Sequence, residues 1–512
     1  MRDWIKKPVV LFGLMMLGLL AVRVPFFLTH HVQEDAYISL RCAESLAETG
    51  VYGFNPGERV SASTSHLYVF LAALVRLAVG SSGFIPVTLV MNTLFLLAGL
   101  YFIARVMAHK QSNVMILWVL ISILPISLLI SYSGMETSLL IFLVGLVVYL
   151  LHTGRTAWLA WVALGLLSWV RPDAVAYALL IVFWQLVRHK RIPWRGLASI
   201  VLGFGSLVGF NLLYFGTPFQ QSINAKMLMR HSFSIDRLLE NIKLVFTGQY
   251  GGIFAPIHTK YVQALGVVFL LVILAAVAYF VFQNKGGRDS LITSLSLASI
   301  TLAIPLAYAF GGVLYQWYFW PSTLLGYAFL LALLVEKMTA GGRLANITRG
   351  LTIVALVAGM AAQWAFSYAW GMKEYAYRGG IGVWLNQNSK PDERILLEPA
   401  GYIPYYSRLY TYDEVGLVSP QVVTYRQAYR SRWWMEFVSD FKPNWIIQRG
   451  HIEEFETYQG IALSDDEQDW FTENYREVAS FEFNPEDYTS NPLLARLLSL
   501  GEVDDYYVFH LK

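Results

Sequence analysis

From Pro8 to about Trp370 the chain repeats one pattern, an apolar run followed by a short loop. Several runs reach about 20 residues, the length of a helix that crosses a ~30 Å hydrocarbon core. In that medium the backbone must satisfy its own hydrogen bonds, so such runs are expected as membrane-spanning helices. Composition points the same way: 56% of the 512 residues are hydrophobic and 14% charged, with a mean hydropathy of +0.48. The net charge of +3 gives no argument for nucleic acid as a partner. The single cysteine, Cys42, excludes an internal disulfide framework and a cysteine-rich metal site. At the N-terminus, MRDWIKKP has the basic flank of a signal peptide, but a full span of apolar residues follows with no small-residue cleavage site. It is expected as a retained first span.

Charge sets the expected orientation. RHKRIPWR, residues 188 to 195, is the most basic short loop and belongs in the cytoplasm by the positive-inside rule. Walking from it in both directions predicts about 11 spans, with the N-terminus inside and the C-terminal part outside. The run LYVFLAALVRLAVG, residues 67 to 80, is the exception. At ~21 Å of helix, and with Arg76 inside it, it reads as re-entrant or interfacial. The predicted division is a transmembrane domain over residues 1–370, with a large first external loop at 29–66, and a soluble external α/β domain over 371–512. In the latter, RILLEP, NWIIQR and YYVFHL read as strands and VTYRQAYRSRWWMEFVSDF as a helix.

This topology gathers the unusual loops on the external face. EDAYISLRCAESLAETGVYGFNPGERVSASTSHLYVFLAAL, residues 34 to 74, is followed in order by YSGMETSLL, WVRPDAV, FGTPFQQSINAKM and EPAGYIPYYSRLYTYDEVGLVSP. The ordered set resembles the GT-C glycosyltransferases, polytopic membrane enzymes that use polyprenyl-phosphate sugars, and within them the AftB-like arabinofuranosyltransferase branch. The resemblance implies a GT-C fold in a bacterial inner (cytoplasmic) membrane, with the active site on the periplasmic side. It implies an inverting transfer of a sugar, arabinofuranose in that branch, from a polyprenyl-phosphate carrier to a cell-envelope glycan or lipid. Where relatives carry Asp-Asp, this chain has Glu34-Asp35.

The chemistry explains the residue types. A polyprenyl-phosphate sugar carries its own anionic leaving group, so the unmet need is a base for the acceptor hydroxyl, and the resemblance places that role on Asp35. From the residues alone Asp35 also reads as the N-cap of an amphipathic helix, with Leu40 and Ala43 on its apolar line and Arg41 and Glu44 on its polar line. Lys226 and Arg171 are the candidate cations for the donor phosphate. The alternatives are a surface lysine and, for Arg171, pairing with Asp173. Glu136 either orients a partner or caps the following helix. Gln316, Trp317 and Tyr318, in YQWYFWP, can stack on a sugar or form an interfacial belt. Asn224, Arg41, His66, Glu398 and Tyr402 complete the candidates, with Tyr405 and Asp413 in the same family-like stretch. A divalent cation (Mg2+, Mn2+ or Ca2+) on Asp35 and Glu34 stays open, since some superfamily members use one and others do not. His66 and the pair His30-His31 lack a regularly spaced second ligand cluster. Expected partners are the polyprenyl-phosphate donor, the acceptor and membrane lipids. Two rivals remain: a GT-C transferase acting on lipid A or a protein hydroxyl, and a lipid-linked sugar flippase or transporter. The latter is expected to bury charges at the midplane, often with inverted repeats. Here the notable polar residues gather at one face.

Overall fold

The chain is a polytopic α-helical membrane protein with a small C-terminal sheet domain. The computed structural model describes residues 8–108, 110–154, 156–228, 234–244, 287–312, 315–339, 341–450, 462–499 and 503–512, with a few single positions between 268 and 275. Helices stand at every described run read as a span. MRDWIKKP up to residue 7 and most of the run at 261–283 lie outside the described residues. Among the described residues, 5 helices are long and apolar enough to cross a membrane: Val10–Phe27, His66–Met107, Trp194–Phe215, Trp320–Thr339 and Arg343–Asn388. The number is 6 if Gln111–Ser122 and Pro125–Tyr132, bent by 64°, count as one broken span. Pro125 sits at the start of the second piece, where its missing N–H costs no helical bond. Thr137–Thr153 and Ala157–Val170 are apolar but shorter.

The run at 67–80 is a helical segment set apart by a break. Inside His66–Met107, Gly80 takes φ 70 and ψ −170, a conformation essentially reserved for glycine. Arg76, the charge that argued against a crossing, ion-pairs with Glu48 and approaches Glu44 at 3.7 Å.

Two compact units make up the chain. The first comprises residues 1–29, 89–207 and 231–367; the second comprises 30–88, 208–230 and 368–512. The segment expected as the soluble external domain falls in one unit with the first loop and with residues 208–230. In the first unit, glycines let helix backbones touch. A Cβ on Gly99 would lie 2.7 Å from the Phe142 backbone, and one on Gly203 2.3 Å from the Gly165 carbonyl oxygen. Close approach through small residues is how helices associate where lipid removes the hydrophobic drive.

In the second unit a five-stranded sheet runs in the order β2-β1-β3-β5-β4, with β1 Arg394–Leu397, β2 Tyr410–Asp413, β3 Trp445–Gln448, β4 Tyr475–Phe481 and β5 Tyr506–Leu511. The first three are mutually parallel, and β5 pairs antiparallel with both β3 and β4. Alternation builds a core on each face. Ile395, Leu397, Trp445, Ile447, Tyr506 and Val508 pack with helices Gly379–Asn388 and Tyr402–Ser407, while Leu396, Ile446 and Phe509 pack with Trp433, Trp434, Phe437 and Phe471. All three strands read from sequence are present. The single helix predicted over VTYRQAYRSRWWMEFVSDF is instead two, Pro420–Tyr429 and Trp433–Phe441, because Arg430 adopts φ 51 and a 3-10 turn follows. The break lets Trp433 and Trp434 both be buried against the sheet.

Candidate functional site

Asp35 stands at the head of helix Ala36–Thr49 but makes no side-chain capping bond to it. Its carboxylate is therefore not occupied by the cap role. Burial raises its pKa above the usual carboxylate value, and the opposing influence is the positive field of Lys226, which lowers it. The two residues most strongly singled out in sequence thus act on one another. Lys226 is carried by helix Gln221–Leu228, which covers QQSINAKM and is anchored where the Gln221 N–H donates to the Ser61 carbonyl at 3.0 Å and its side chain to the Gly416 carbonyl at 2.9 Å. Asn224, two residues before Lys226, points off a different side of this helix. Ser222, one turn before Lys226, shares its face. The buried Ser222 Oγ, Ser61 Oγ, Ser65 Oγ and Gln220 Nε2 meet no hydrogen-bond partner among the described residues, as is usual of groups that serve a ligand or ordered water. None of these four was singled out in sequence, where serines in a loop look ordinary.

Helix Ala36–Thr49, read as amphipathic with Leu40 and Ala43 on its apolar line, is buried on all sides from Ala36 to Ser45. Its polar line is matched by protein. Arg41 donates to the carbonyls of Phe54 (3.1 Å), Leu409 (2.6 Å) and Pro404 and lies over the Phe54 ring, which ties the helix to its surroundings. Glu44 accepts from Tyr405 Oη at 2.9 Å and Arg408 at 2.6 Å.

Glu34 turns away from Asp35. Its Oε1 accepts the Tyr402 N–H at 3.0 Å, and its Oε2 lies 3.9 Å from Arg378 and beside Glu374. Burial and the Glu374 charge push its pKa well up, which favours the protonated form of Glu34. Glu374 and Arg378 come from a π-helical turn, Met372–Arg378, and pair at 3.1 Å; Arg378 also reaches Asp504 at 3.3 Å. Arg449 links Asp504, at 3.3 Å, to Glu398, whose carboxyl is raised to about 7 chiefly by burial. Sequence reasoning found Glu34 and Glu398 but missed Glu374, Arg378, Arg449 and Asp504. Only the Glu374/Arg378 helical spacing offered a signal. Glu34 Oε1 is held by the Tyr402 N–H, while its buried Oε2 meets no hydrogen-bond partner among the described residues. Among the described residues no group of three or more His, Cys, Asp or Glu is arranged to hold a metal ion.

Tyr402 fastens the Asp35 loop: its hydroxyl donates to the Val32 carbonyl at 2.7 Å and accepts from the Val32 N–H at 3.1 Å. Gly401 is required beside it, since a Cβ there would fall 2.1 Å from Glu34 Oε1. His66 is bonded through Nδ1 to Tyr52 Oη at 2.8 Å and through Nε2 to Asn211 at 2.7 Å. His30 stacks on Tyr375, and burial lowers His31 to about 3, which keeps it neutral. Asp413 accepts from the N–H groups of Leu417 and Val418 and so closes a turn.

The first unit brings together four other candidates. Arg171 is buried, forks onto Asp173 at 3.1 and 2.8 Å, approaches Glu136 at 3.5 Å and lies over the Tyr318 ring at 4.2 Å. Tyr308 donates to the same Asp173 and stacks on Tyr318. The pairing alternative for Arg171 is the arrangement found, and Glu136 makes no capping bond to its helix. Trp317 stacks on Tyr315, and Gln316, Trp317 and Tyr318 form a half-buried 3-10 turn.

Residues 366–507 match a family described as a domain of unknown function (DUF8728). No curated protein matches the chain. The crystal structure of ArnT from Cupriavidus metallidurans bound to undecaprenyl phosphate is similar with a TM-score of 0.53 at 11% identity, over 92% of this chain and 97% of that one. The apo form of the same protein gives 0.46 at 13% identity, over 86% and 93%. The first likeness defines the class: the chain has a GT-C fold.

Proposed function

We propose that this protein is a polyprenyl-phosphate-dependent glycosyltransferase in which Asp35 is the base and Lys226 faces the donor phosphate. The observation that carries the reading is Asp35 itself, a buried carboxylate unbonded to the helix it heads and under the field of Lys226. The likeness to a protein crystallised with undecaprenyl phosphate supports the donor class. In the reaction the acceptor oxygen attacks the anomeric carbon, the bond from that carbon to the phosphate oxygen breaks, and the electron pair leaves with the polyprenyl phosphate. The acceptor proton passes to an Asp35 carboxylate oxygen, late in the step, when the oxocarbenium-like centre has made the hydroxyl acidic. A carboxyl raised by burial is a stronger base than a solvated one, and Lys226 keeps it ionised while complementing the phosphate. One displacement inverts the anomeric centre. Ser61, Ser222 and Gln220 are suited to the hydroxyls of the sugar. Arg171, held by Asp173, orders the Tyr318 shelf. The acceptor in this reading is a cell-envelope glycan or lipid on the periplasmic side of the inner membrane, and the sugar is arabinofuranose.

Purified protein in lipid nanodiscs, given a panel of polyprenyl-phosphate sugars that includes the arabinofuranosyl donor, is expected to release polyprenyl phosphate only when acceptor is added. Transfer from another sugar corrects the donor alone. Absence of release from every donor with envelope extracts as acceptor overturns the function, and a retained anomeric configuration overturns the single displacement.

A further inference from the structure

Asp35 and Lys226 are both tethered to one end of the sheet. β1 and β2 run parallel with Leu397 opposite Asp413, and the carboxyl end of each passes straight into a loop that grips another part of the second unit. Carboxyl ends of parallel strands are where working loops gather. From β1 the chain reaches Tyr402, whose N–H holds Glu34 and whose hydroxyl holds Val32, on the loop that leads into Asp35. From β2 it enters a turn whose Gly416 carbonyl accepts the Gln221 side-chain amide at 2.9 Å, at the start of the helix that carries Lys226. That turn is firmly closed. Asp413 accepts the N–H groups of Leu417 (2.7 Å) and Val418 (2.8 Å), the Ser419 hydroxyl accepts the Asp413 N–H at 3.0 Å, and the Val415 carbonyl accepts from Arg426. Gly416 has φ 86, and a Cβ on it would lie 2.5 Å from Val423 Cγ2, so only glycine fits there. The outer edge of β2 is covered by Asn55 of the first loop, which pairs with both the N–H and the carbonyl of Thr411, at 2.9 and 3.0 Å.

The Lys226 helix is 8 residues long, too short to hold its place by its own hydrogen bonds. Gln221 anchors it twice, through its N–H to the Ser61 carbonyl and through its side chain to Gly416, and the helix packs against Pro420–Tyr429, which follows the same turn. We propose that the C-terminal sheet domain sets where Lys226 stands relative to Asp35, with Gln221 as the positioning residue that couples the end of β2 to the Lys226 helix. The inference rests on Asp35 as the base and Lys226 as its charge partner. The attraction between two charges falls with their separation, so a slack tether weakens what the lysine does for the carboxylate. Because the loops that hold the two residues leave from register partners on adjacent strands, one strand pair fixes both ends of that separation.

Gln221→Met removes the side-chain donor and keeps much of its length. Hydrogen exchange of the full chain in nanodiscs is expected to become roughly tenfold faster at residues 224–228, the scale of one lost hydrogen bond, with the amides of β1 and β2 unchanged. In acceptor-dependent release of polyprenyl phosphate, kcat is expected to fall about tenfold or more. The acid limb of kcat/KM moves to higher pH, toward that of Lys226→Met, because the positive field that lowers the Asp35 pKa has weakened. In the Lys226→Met background Gln221→Met moves the limb no further. Asp413→Asn loosens the same turn from the sheet side and gives the same pattern, so the result does not depend on one variant folding. Unchanged exchange in both variants, faster exchange beside a wild-type limb, or a further shift of the limb in the Lys226→Met background each overturns the positioning role. If Lys226→Met itself leaves the limb unmoved, the pairing of Asp35 with Lys226 fails and this inference falls with it; the exchange result, which needs no activity, tells that failure from a missing tether.

Discussion

Asp35→Asn separates catalysis from structure more cleanly than any other change in this chain. Because the Asp35 side chain makes no capping bond, the ~1 kcal/mol that a lost N-cap costs is not at stake. Its pKa is raised in the folded state, so the ionised form is disfavoured there, and stability is lost as pH rises through the folded pKa. Asparagine removes that loss. At pH 7 the variant should therefore melt at the wild-type temperature or slightly above it. Turnover should fall 10²- to 10⁴-fold, the range for removing a general base, which is about 3–5 kcal/mol of transition-state stabilisation at 1.36 kcal/mol per decade. The assay is acceptor-dependent release of polyprenyl phosphate, with scanning calorimetry on the same preparation. Turnover within threefold of wild type, or a stability loss near 1 kcal/mol with turnover falling only in proportion to unfolded protein, refutes the role of Asp35. The acid limb of the wild-type rate profile should lie above the ordinary carboxylate range, because activity needs the ionised form and the pKa is raised.

Lys226→Met removes the field that lowers the Asp35 pKa, so the acid limb of kcat/KM should move to higher pH while donor binding weakens; an unmoved limb separates the two residues. Arg41→Met strips donors from three buried carbonyls and should cost about 3–6 kcal/mol, read as a large fall in Tm, with KM for donor unchanged in whatever folds. Glu398→Gln tests the acidic network. With its carboxyl raised to about 7, the folded protein holds a proton that the unfolded chain releases near 4.5, and this stabilisation is lost as pH rises through 7. Chemical denaturation should show wild type losing up to ~3 kcal/mol relative to the variant between pH 5 and 8, and parallel curves would dismiss the shift. Tyr402→Phe should cost about 1–2 kcal/mol through its lost bonds to Val32, with a matching fall in turnover if that tether holds Asp35 in place.

The sequence was most legible where one physical rule dominates. Apolar length located the helices, and the short, nearly continuous apolar runs in RILL, WIIQ and YYVFHL located three strands of the sheet, because these strands are buried on both faces. β2 and β4 escaped for the complementary reason: Tyr410–Asp413 is short and polar at one end, and Tyr475–Phe481 is an edge strand carrying exposed charges and a bulge. In the candidate site the ionisable residues at loop mouths were visible, but their partners were not. Arg41 looks like a surface residue on an amphipathic helix until the chain around residues 404–409 supplies the carbonyls it bonds. Side-chain type tells what a residue can do; only contacts across hundreds of positions tell whether it is already engaged.

That distinction decides between the two adjacent acids. Glu34 and Asp35 are consecutive, and by sequence either is a base, a metal ligand or a cap. The fold treats them oppositely. The Tyr402 N–H holds Glu34, and burial with the neighbouring Glu374 charge favours its protonated form, which cannot take a proton from an acceptor. Asp35 is left without a bond from its own helix and with a lysine charge as its partner in the field. One extra methylene explains how the two diverge, since the longer Glu34 side chain reaches the Tyr402 N–H and the π-helical turn while the backbone at Asp35 enters the helix. If that reach is what matters, Glu34→Asp should loosen the loop without supplying a second base: Tm should fall, the pH profile should keep its shape, and Asp35→Asn in that background should be as inactive as it is alone.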